Sequence, residues 1–360
     1  MEYQILCNSL TLVTSTFEPL GLVLDPLLGT ANHSCNPNAY AVMDGPKVAF
    51  RSLNSISKGE EILISYVDSS LPKPTRQLQI RERFYFDCAC TKCERPGGGI
   101  ESPEDRYLGH PTVLAEEWKT FLEKGYDEGL YPTIAKGLFD SIPQNFGRQS
   151  LPPFWDAKCV EKFASEFVND NTISDPHRGL QLFQFLLRLL ATSQRFELQR
   201  HPYSSIRKNY TTYLSLSGKY GQAWSQAAKQ YFNIDPVLYL QTHHPLRVID
   251  NINLAKLTLV VATDPGHRAE EASLTDPLND TDFGVMIYFL FVEIMANIDK
   301  SHGKDNSLAK SVRAKFEELK TDMTRADPSA LRNLDKQREE VWRKLRSVGN
   351  IPDLTYSPSK

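Results

Sequence analysis

The 360-residue sequence has no strong charge of either sign, since 41 Lys and Arg stand against 44 Asp and Glu for a net charge of -3, and its isoelectric point is near 6.3. That balance excludes bulk attraction to nucleic acid or anionic lipid and leaves a local patch as the only route, so no direct nucleic-acid binding is expected. No uninterrupted apolar run reaches the roughly 18 to 20 residues that cross a bilayer, and the opening "MEYQILCNSL" lacks the basic start of a secretory signal. No membrane partner is expected, and the location expected is intracellular, nucleus and/or cytoplasm. There is no clean 34-residue self-similarity, which excludes a regular repeat array. Nor are the six cysteines spread evenly, as a disulfide framework would have them. Three of them fall within "CACTKC", and the others are Cys7, Cys35 and Cys159. Thiols clustered in this way in a reducing compartment are metal ligands or redox centres rather than bridges.

The chain is long enough for two or three domains, and 41% hydrophobic residues can fill their cores. Up to about residue 70, "LTLVTSTF", "KVAFRSL" and "EILISYV" are rich in β-branched and aromatic residues, and "DGP" and "SKGEE" punctuate them. That predicts short strands. From Pro74, "TRQLQIRERFYF" predicts a short charged helix running into the cysteines, and "ERPGGGIESPEDR" then breaks regular structure. Beyond it, apolar residues recur at three- and four-residue spacing, as in Leu114, Trp118, Phe121 and Leu122, or Leu182, Phe185, Leu186 and Leu189. The expected fold is α+β: a β-rich unit over 1–96, a linker over 97–110 and an all-α domain over 111–360. Within the last, "YLSLSGKYGQAWSQAAKQYFNIDP" carries Leu214, Gly218, Tyr220, Ala223 and Ala227 at tetratricopeptide spacing, with Asp235-Pro236 about one residue late. Irregular helical hairpins stacked in that general manner are predicted, with two closing helices between Leu308 and Val348.

Cys88, Cys90 and Cys93 offer three thiolates, whereas a structural zinc site is tetrahedral and closed. Cys35 is the obvious fourth ligand, and zinc would then staple the "NHSC" turn to the segment before the linker. The alternative is that Cys35 is a buried free thiol and the triplet an oxidation-prone loop. A tyrosine at a strand end, such as Tyr66, and a histidine after asparagine, such as His33, are each ordinary core or turn residues when met alone. Glu60 and Glu61 after Gly59 read as turn and strand-start residues.

"NHSCNPN", then "GEEILISY", then "CxCxxC" resembles the carboxyl half of a SET-domain protein lysine methyltransferase with its post-SET zinc site. "ILCNSLTLVTSTFEPLGLVLDPLLGTANHSC" is similar to the segment leading into that motif in the SET and MYND domain family. The resemblance covers residues 1 to about 96, and the helical remainder is similar in character to that family's tetratricopeptide-like carboxyl domain. What it implies is methyl transfer from S-adenosylmethionine to a lysine of a protein substrate, histone or other. Asn8, Asn32 and His33 would contact the cofactor and Phe86 would stack on its adenine. Tyr66 would be the catalytic tyrosine, and Cys35, Cys88, Cys90 and Cys93 would hold zinc.

The sequence also departs from the family pattern. The lysine channel, walled there by a phenylalanine and a second tyrosine, has Leu10 and Phe84 at those positions. Leu10 widens it and Phe84 removes a hydroxyl, which bears on substrate fit and on the number of methyls transferred. The family's "GxG" strand and MYND zinc module have no counterpart before the matched segment, so half of the cofactor pocket is expected to be missing. Two readings follow: a piece of a longer methyltransferase, or a non-catalytic module whose helical domain binds a peptide partner.

Overall fold

The computed structural model describes residues 9–14, 16, 19–26, 28–94, 164–165, 175–192, 201–264, 266–269, 281–332 and 334–351. Asn8, the expected linker, the positions from Leu114 to Leu122, and the side chains of Phe185 and Leu189 lie outside the described residues.

Among the described residues, the amino-terminal region holds three small two-stranded sheets. Strand β1 (Ser9–Val13) pairs antiparallel with β2 (Pro19–Leu24). β1 is shorter than "LTLVTSTF" suggested, because the Val13 N–H turns to the Met43 sulfur and Thr14 and Thr16 bond each other in a turn. β3 (Asn32–His33) runs parallel to β6 (Leu63–Ile64), with Asn32 opposite Leu63 and His33 opposite Ile64. β4 (Ala39–Asp44) and β5 (Lys47–Ser52) form a hairpin in which Asp44 faces Lys47 across the Gly45-Pro46 turn. Gly45 takes φ 58°, the left-handed conformation that such a two-residue turn requires and that glycine adopts without steric cost.

Helix α1 (Lys73–Phe84) follows, one residue earlier than the Pro74 start expected, and stops at Tyr85, which is left-handed with φ 61°. Its buried face carries Arg76 and Ile80.

The remaining described elements are helical: α2 (Pro176–Thr192), α3 (Tyr203–Leu216), α4 (Tyr220–Lys229), a π-helical turn at Gln230–Ile234, α5 (Asp235–Leu238), α6 (Pro245–Thr263), α7 (Gly266–Ala269), α8 (Phe283–Ser301), α9 (Ser307–Ala326) and α10 (Asp335–Gly349). Several start at side-chain caps: His244 accepts from the Leu246 N–H, Asp282 from Val285 and Asn306 from Leu308. α9 and α10 are the two closing helices expected. One apolar core joins α4, α6, α8, α9 and α10 through Trp224, Leu254, Met286, Leu290, Ile298, Ala309 and Leu345. The Trp224 indole N–H is satisfied inside that core by Thr258 Oγ1 at 2.8 Å. No described helix is long and apolar enough to cross a membrane.

The β4–β5 hairpin ties the two regions together. Asp44 accepts from the Ser307 N–H (2.9 Å) and hydroxyl at the start of α9, while Arg51 donates to the carbonyls of Asp299 (2.9 Å) and Lys300 (3.2 Å) at the end of α8. A carboxylate at a helix N-terminus and a guanidinium at a C-terminus both match the helix dipole.

Candidate functional site: a cysteine cluster beside a strand crossing

"NHSCNPN" and "EEILISY" cross at β3 and β6. The Ser34 N–H donates to Ile64 O at 2.9 Å and the Asn38 N–H to Leu63 O at 3.2 Å. The Asn38 side chain completes the join, its Nδ2 donating to Glu61 O and its Oδ1 accepting from the Leu63 N–H, both at 2.8 Å. The ladder ends after Ile64 because the next backbone donor is used elsewhere: the Tyr66 N–H goes to His33 Nδ1 at 3.0 Å. That is why "EILISYV" yields a two-residue strand.

The crossing delivers Cys35, and the end of α1 delivers Cys88, Cys90 and Cys93. The four sulfurs all lie within 4.8 Å of one another, with Cys35 at 3.9 Å from Cys88 and 3.6 Å from Cys93. Four thiolates at about 2.3 Å from a tetrahedral zinc would stand about 3.8 Å apart, so the cluster fits zinc. The local electrostatics fit too. Against the burial that would raise it, the Cys90 thiol is brought down to about 6, helped by backbone N–H groups of Cys93, Cys35 and Lys92 and by the Cys88 side chain. Burial pushes the Cys35 thiol far up, against the Arg76 guanidinium beside it.

Helix α1 is the seat of this cluster. Gln77 clamps the Cys88 backbone from both sides, Oε1 accepting its N–H at 2.9 Å and Nε2 donating to its carbonyl at 2.8 Å. Lys73 Nζ donates to Cys93 O at 2.7 Å, and Arg76, 0% exposed, reaches the Leu71 carbonyl and lies 3.9 Å from Cys93 Sγ. A zinc bound by four thiolates carries two net negative charges, and a buried guanidinium offsets one of them. Sequence reading passed over these three residues. Their signal was present: Lys73, Arg76, Gln77 and Ile80 sit at i, i+3, i+4 and i+7, one face of a helix that reads merely as charged.

Beside the cluster stand the other candidates. Tyr66 donates its hydroxyl to Ala31 O at 2.6 Å, and its ring lies 4.7 Å from Phe84 and 5.2 Å from His33. Leu10 and Tyr66 pack on the same small core of Ala31, Ala39 and Ile64. Leu10, Tyr66 and Phe84 therefore come together. Burial, then Glu61, raises the Tyr66 phenol, so it stays protonated at neutral pH. Burial, then Arg76, holds the His33 imidazole down at about 4. Phe86 is 37% exposed with its ring 5.9 Å from His33, and Asn32 is exposed, its amide donating to Glu61 Oε1 at 2.5 Å. Glu60 stabilises the turn by accepting the Ser57 N–H at 2.9 Å, as its position after Gly59 suggested, whereas Glu61 has the further contact to Asn32.

The SET domain family matches residues 14–67. The chain is 40% identical over 102 residues to "SET domain and MYND-type zinc finger protein 6" of Schizosaccharomyces pombe, covering 28% of this chain and 21% of that protein. It is 34% identical over 91 residues to "Histone-lysine N-methyltransferase SMYD3" of Homo sapiens, covering 25% and 21%. A longer match, 28% identical over 210 residues, covers 53% of this chain and 39% of human "Histone-lysine N-methyltransferase SMYD1". The matched part thus spans 21% to 39% of the length of these relatives. The match to the SET domain family falls on the strands of the crossing, and the amino-terminal region is similar to SET and MYND domain proteins.

Proposed function

We propose that this chain is part of a protein lysine methyltransferase that uses S-adenosylmethionine, with a zinc ion held by Cys35, Cys88, Cys90 and Cys93. The observation that carries the reading is the convergence of Tyr66, His33 and the four sulfurs around one strand crossing. Two relatives that share this segment are named histone-lysine N-methyltransferases.

When bound, the cofactor supplies a sulfonium methyl group as the electrophile. Asn32 and His33 would hold its amino-acid end and the exposed Phe86 ring would cover its adenine, a flat base suiting an aromatic face. The chain's own part is to present a neutral amine. Leu10, Phe84 and the Tyr66 ring make an apolar wall that disfavours the ammonium form, so the proton leaves to solvent without a dedicated base. The protonated Tyr66 hydroxyl, fixed near Ala31 O, orients the amine lone pair toward the methyl carbon. With the cofactor held there, the amine would take its methyl group, the bonding electron pair remaining on the sulfur. The substrate is a lysine of a histone or another protein, and the tetratricopeptide-like helices are a further surface for a peptide.

The test is calorimetric titration with S-adenosylmethionine and methyl transfer to a lysine-rich protein mixture. Both are run on this chain and on this chain joined to the amino-terminal SET half of the fission-yeast relative. Each missing hydrogen bond or packing surface costs about 1 to 3 kcal/mol, so this chain alone should bind orders of magnitude more weakly than the joined protein. Tyr66→Phe in the joined protein should lower turnover by about 100-fold or more and leave cofactor affinity nearly unchanged. A joined protein that binds the cofactor but methylates nothing would instead favour a peptide-binding module.

A further inference from the structure

Resting on the metal reading of the cysteine cluster, the geometry points to the His33 side chain as a positioning residue that carries the order of the metal centre to Tyr66. This role lies beyond the cofactor contact given to His33 above. The Tyr66 backbone N–H donates to His33 Nδ1 at 3.0 Å. A backbone amide can only donate, so Nδ1 bears no proton and the ring proton of the neutral imidazole sits on Nε2. Nε2 lies 3.3 Å from Cys35 Sγ, and its N–H is therefore directed at that sulfur. The ring has a second restraint, lying between Tyr66 at 5.2 Å and Phe86 at 5.9 Å.

A histidine that only filled space would not place both nitrogens on partners 33 and 2 residues away along the chain. A thiolate held by a metal is a charged acceptor, and a hydrogen bond to it is stronger than one to a neutral thiol. Metal binding thus tightens the Nε2–H···S contact, the contact fixes the ring, and the ring fixes the peptide from which the Tyr66 phenol projects to Ala31 O. Across the same crossing the Ser34 N–H donates to Ile64 O at 2.9 Å, so the bridge closes a loop of bonds between the two segments. Second partners of metal-site residues commonly orient them in this way.

The experiment is nuclear magnetic resonance of the full chain loaded with cadmium-113 in place of zinc. Expected are a cadmium resonance of a four-sulfur site, His33 nitrogen shifts with the proton on Nε2, and a scalar coupling from that proton to cadmium across the Cys35 sulfur. His33→Leu, which offers neither donor nor acceptor, should make the Tyr66 amide exchange about tenfold faster, the protection of one hydrogen bond. His33→Gln, which offers both, should recover most of that protection. A proton on Nδ1, an absent coupling, or a Tyr66 amide indifferent to His33→Leu would overturn the bridge. The first two readouts use the wild-type chain and need no variant to fold. Absence of any bound cadmium would overturn the metal reading beneath it, and none of these readouts depends on methyl transfer.

Discussion

In the helical region Trp224, Leu254, Met286, Leu290, Ile298 and Leu345 are all fully buried in one core shared by five helices. Around the strand crossing the buried apolar clusters of the described residues are smaller, Ala31, Ala39 and Ile64 in one and Ile80 with three cysteines in another, with Val42, Met43 and Leu53 buried along the hairpin. Fully burying a large apolar side chain contributes about 1.5 to 3 kcal/mol, and the crossing has few to bury. A small unit with so little apolar payload gains from a staple, and the four clustered sulfurs fit a zinc ion that would provide one. The helical region needs none. The difference shows why the candidate chemistry sits where it does. A site held by directed hydrogen bonds, and by a metal on the cysteine cluster if one binds, can leave side chains such as Asn32 and Phe86 exposed, which a packed core cannot.

The sharpest way to break the comparison is to remove the staple. Freshly reduced protein should carry one zinc per chain by elemental analysis, and Cys90→Ser should lose it. The cost should be on the order of 10 kcal/mol of local folding energy, with the Asn32–Tyr66 region disordered and helical circular dichroism largely retained. Next is the mirror experiment. Trp224→Ala should cost about 3 to 5 kcal/mol in the helical region, read by denaturant unfolding, and leave zinc content unchanged.

A smaller effect sharpens the account of the helical core, which is not purely apolar. Asp235 is 0% exposed, with Gln230 Nε2 donating to its Oδ1, and burial and then Asp250 raise its carboxyl well above the usual range. The unfolded chain ionises this group near pH 4 while the folded chain holds the proton, so stability is full below that pH and declines as pH rises toward the folded value. Asp235→Asn should therefore stabilise the helical region by about 1 kcal/mol or more at pH 7 and by nothing at pH 3.5, measured by urea unfolding at both.

Smallest is the contact joining the two regions. Arg51→Ala should cost about 1 kcal/mol in the coupling of their unfolding transitions. Asp44 is held below the usual carboxylate range by the Ser307 hydroxyl and N–H, so its contribution is complete above about pH 4 and fades as pH falls through the depressed value. Differential scanning calorimetry across that range should show the two transitions separating on acidification, and Asp44→Asn should remove the dependence.

Much of this was legible in the amino-acid order. The turn at "DGP", the helix at "TRQLQIRERF" and the two closing helices follow from turn chemistry and apolar period, and Cys35 joined the triplet because zinc needs four ligands, whereas the strand before that turn was not read. Strand lengths were not legible, since β1 and β6 end where Met43 and His33 capture backbone donors from far along the chain. The same holds for the buried face of α1: Arg76 and Gln77 look like surface residues until the cysteine loop folds over them. Glu61 read as a strand start because Asn32, 29 residues away, becomes its neighbour only through the crossing. Such contacts between distant segments leave no periodic trace in sequence.

The most direct measurement is amide hydrogen exchange on the chain before and after zinc is removed by a chelator. The account predicts that amides at 32–35, 63–66 and 76–93 lose most of their protection together, while those of α6 and α8 keep theirs. Equal protection with and without the chelator in the amino-terminal segments, or loss spread evenly over both regions, would contradict it.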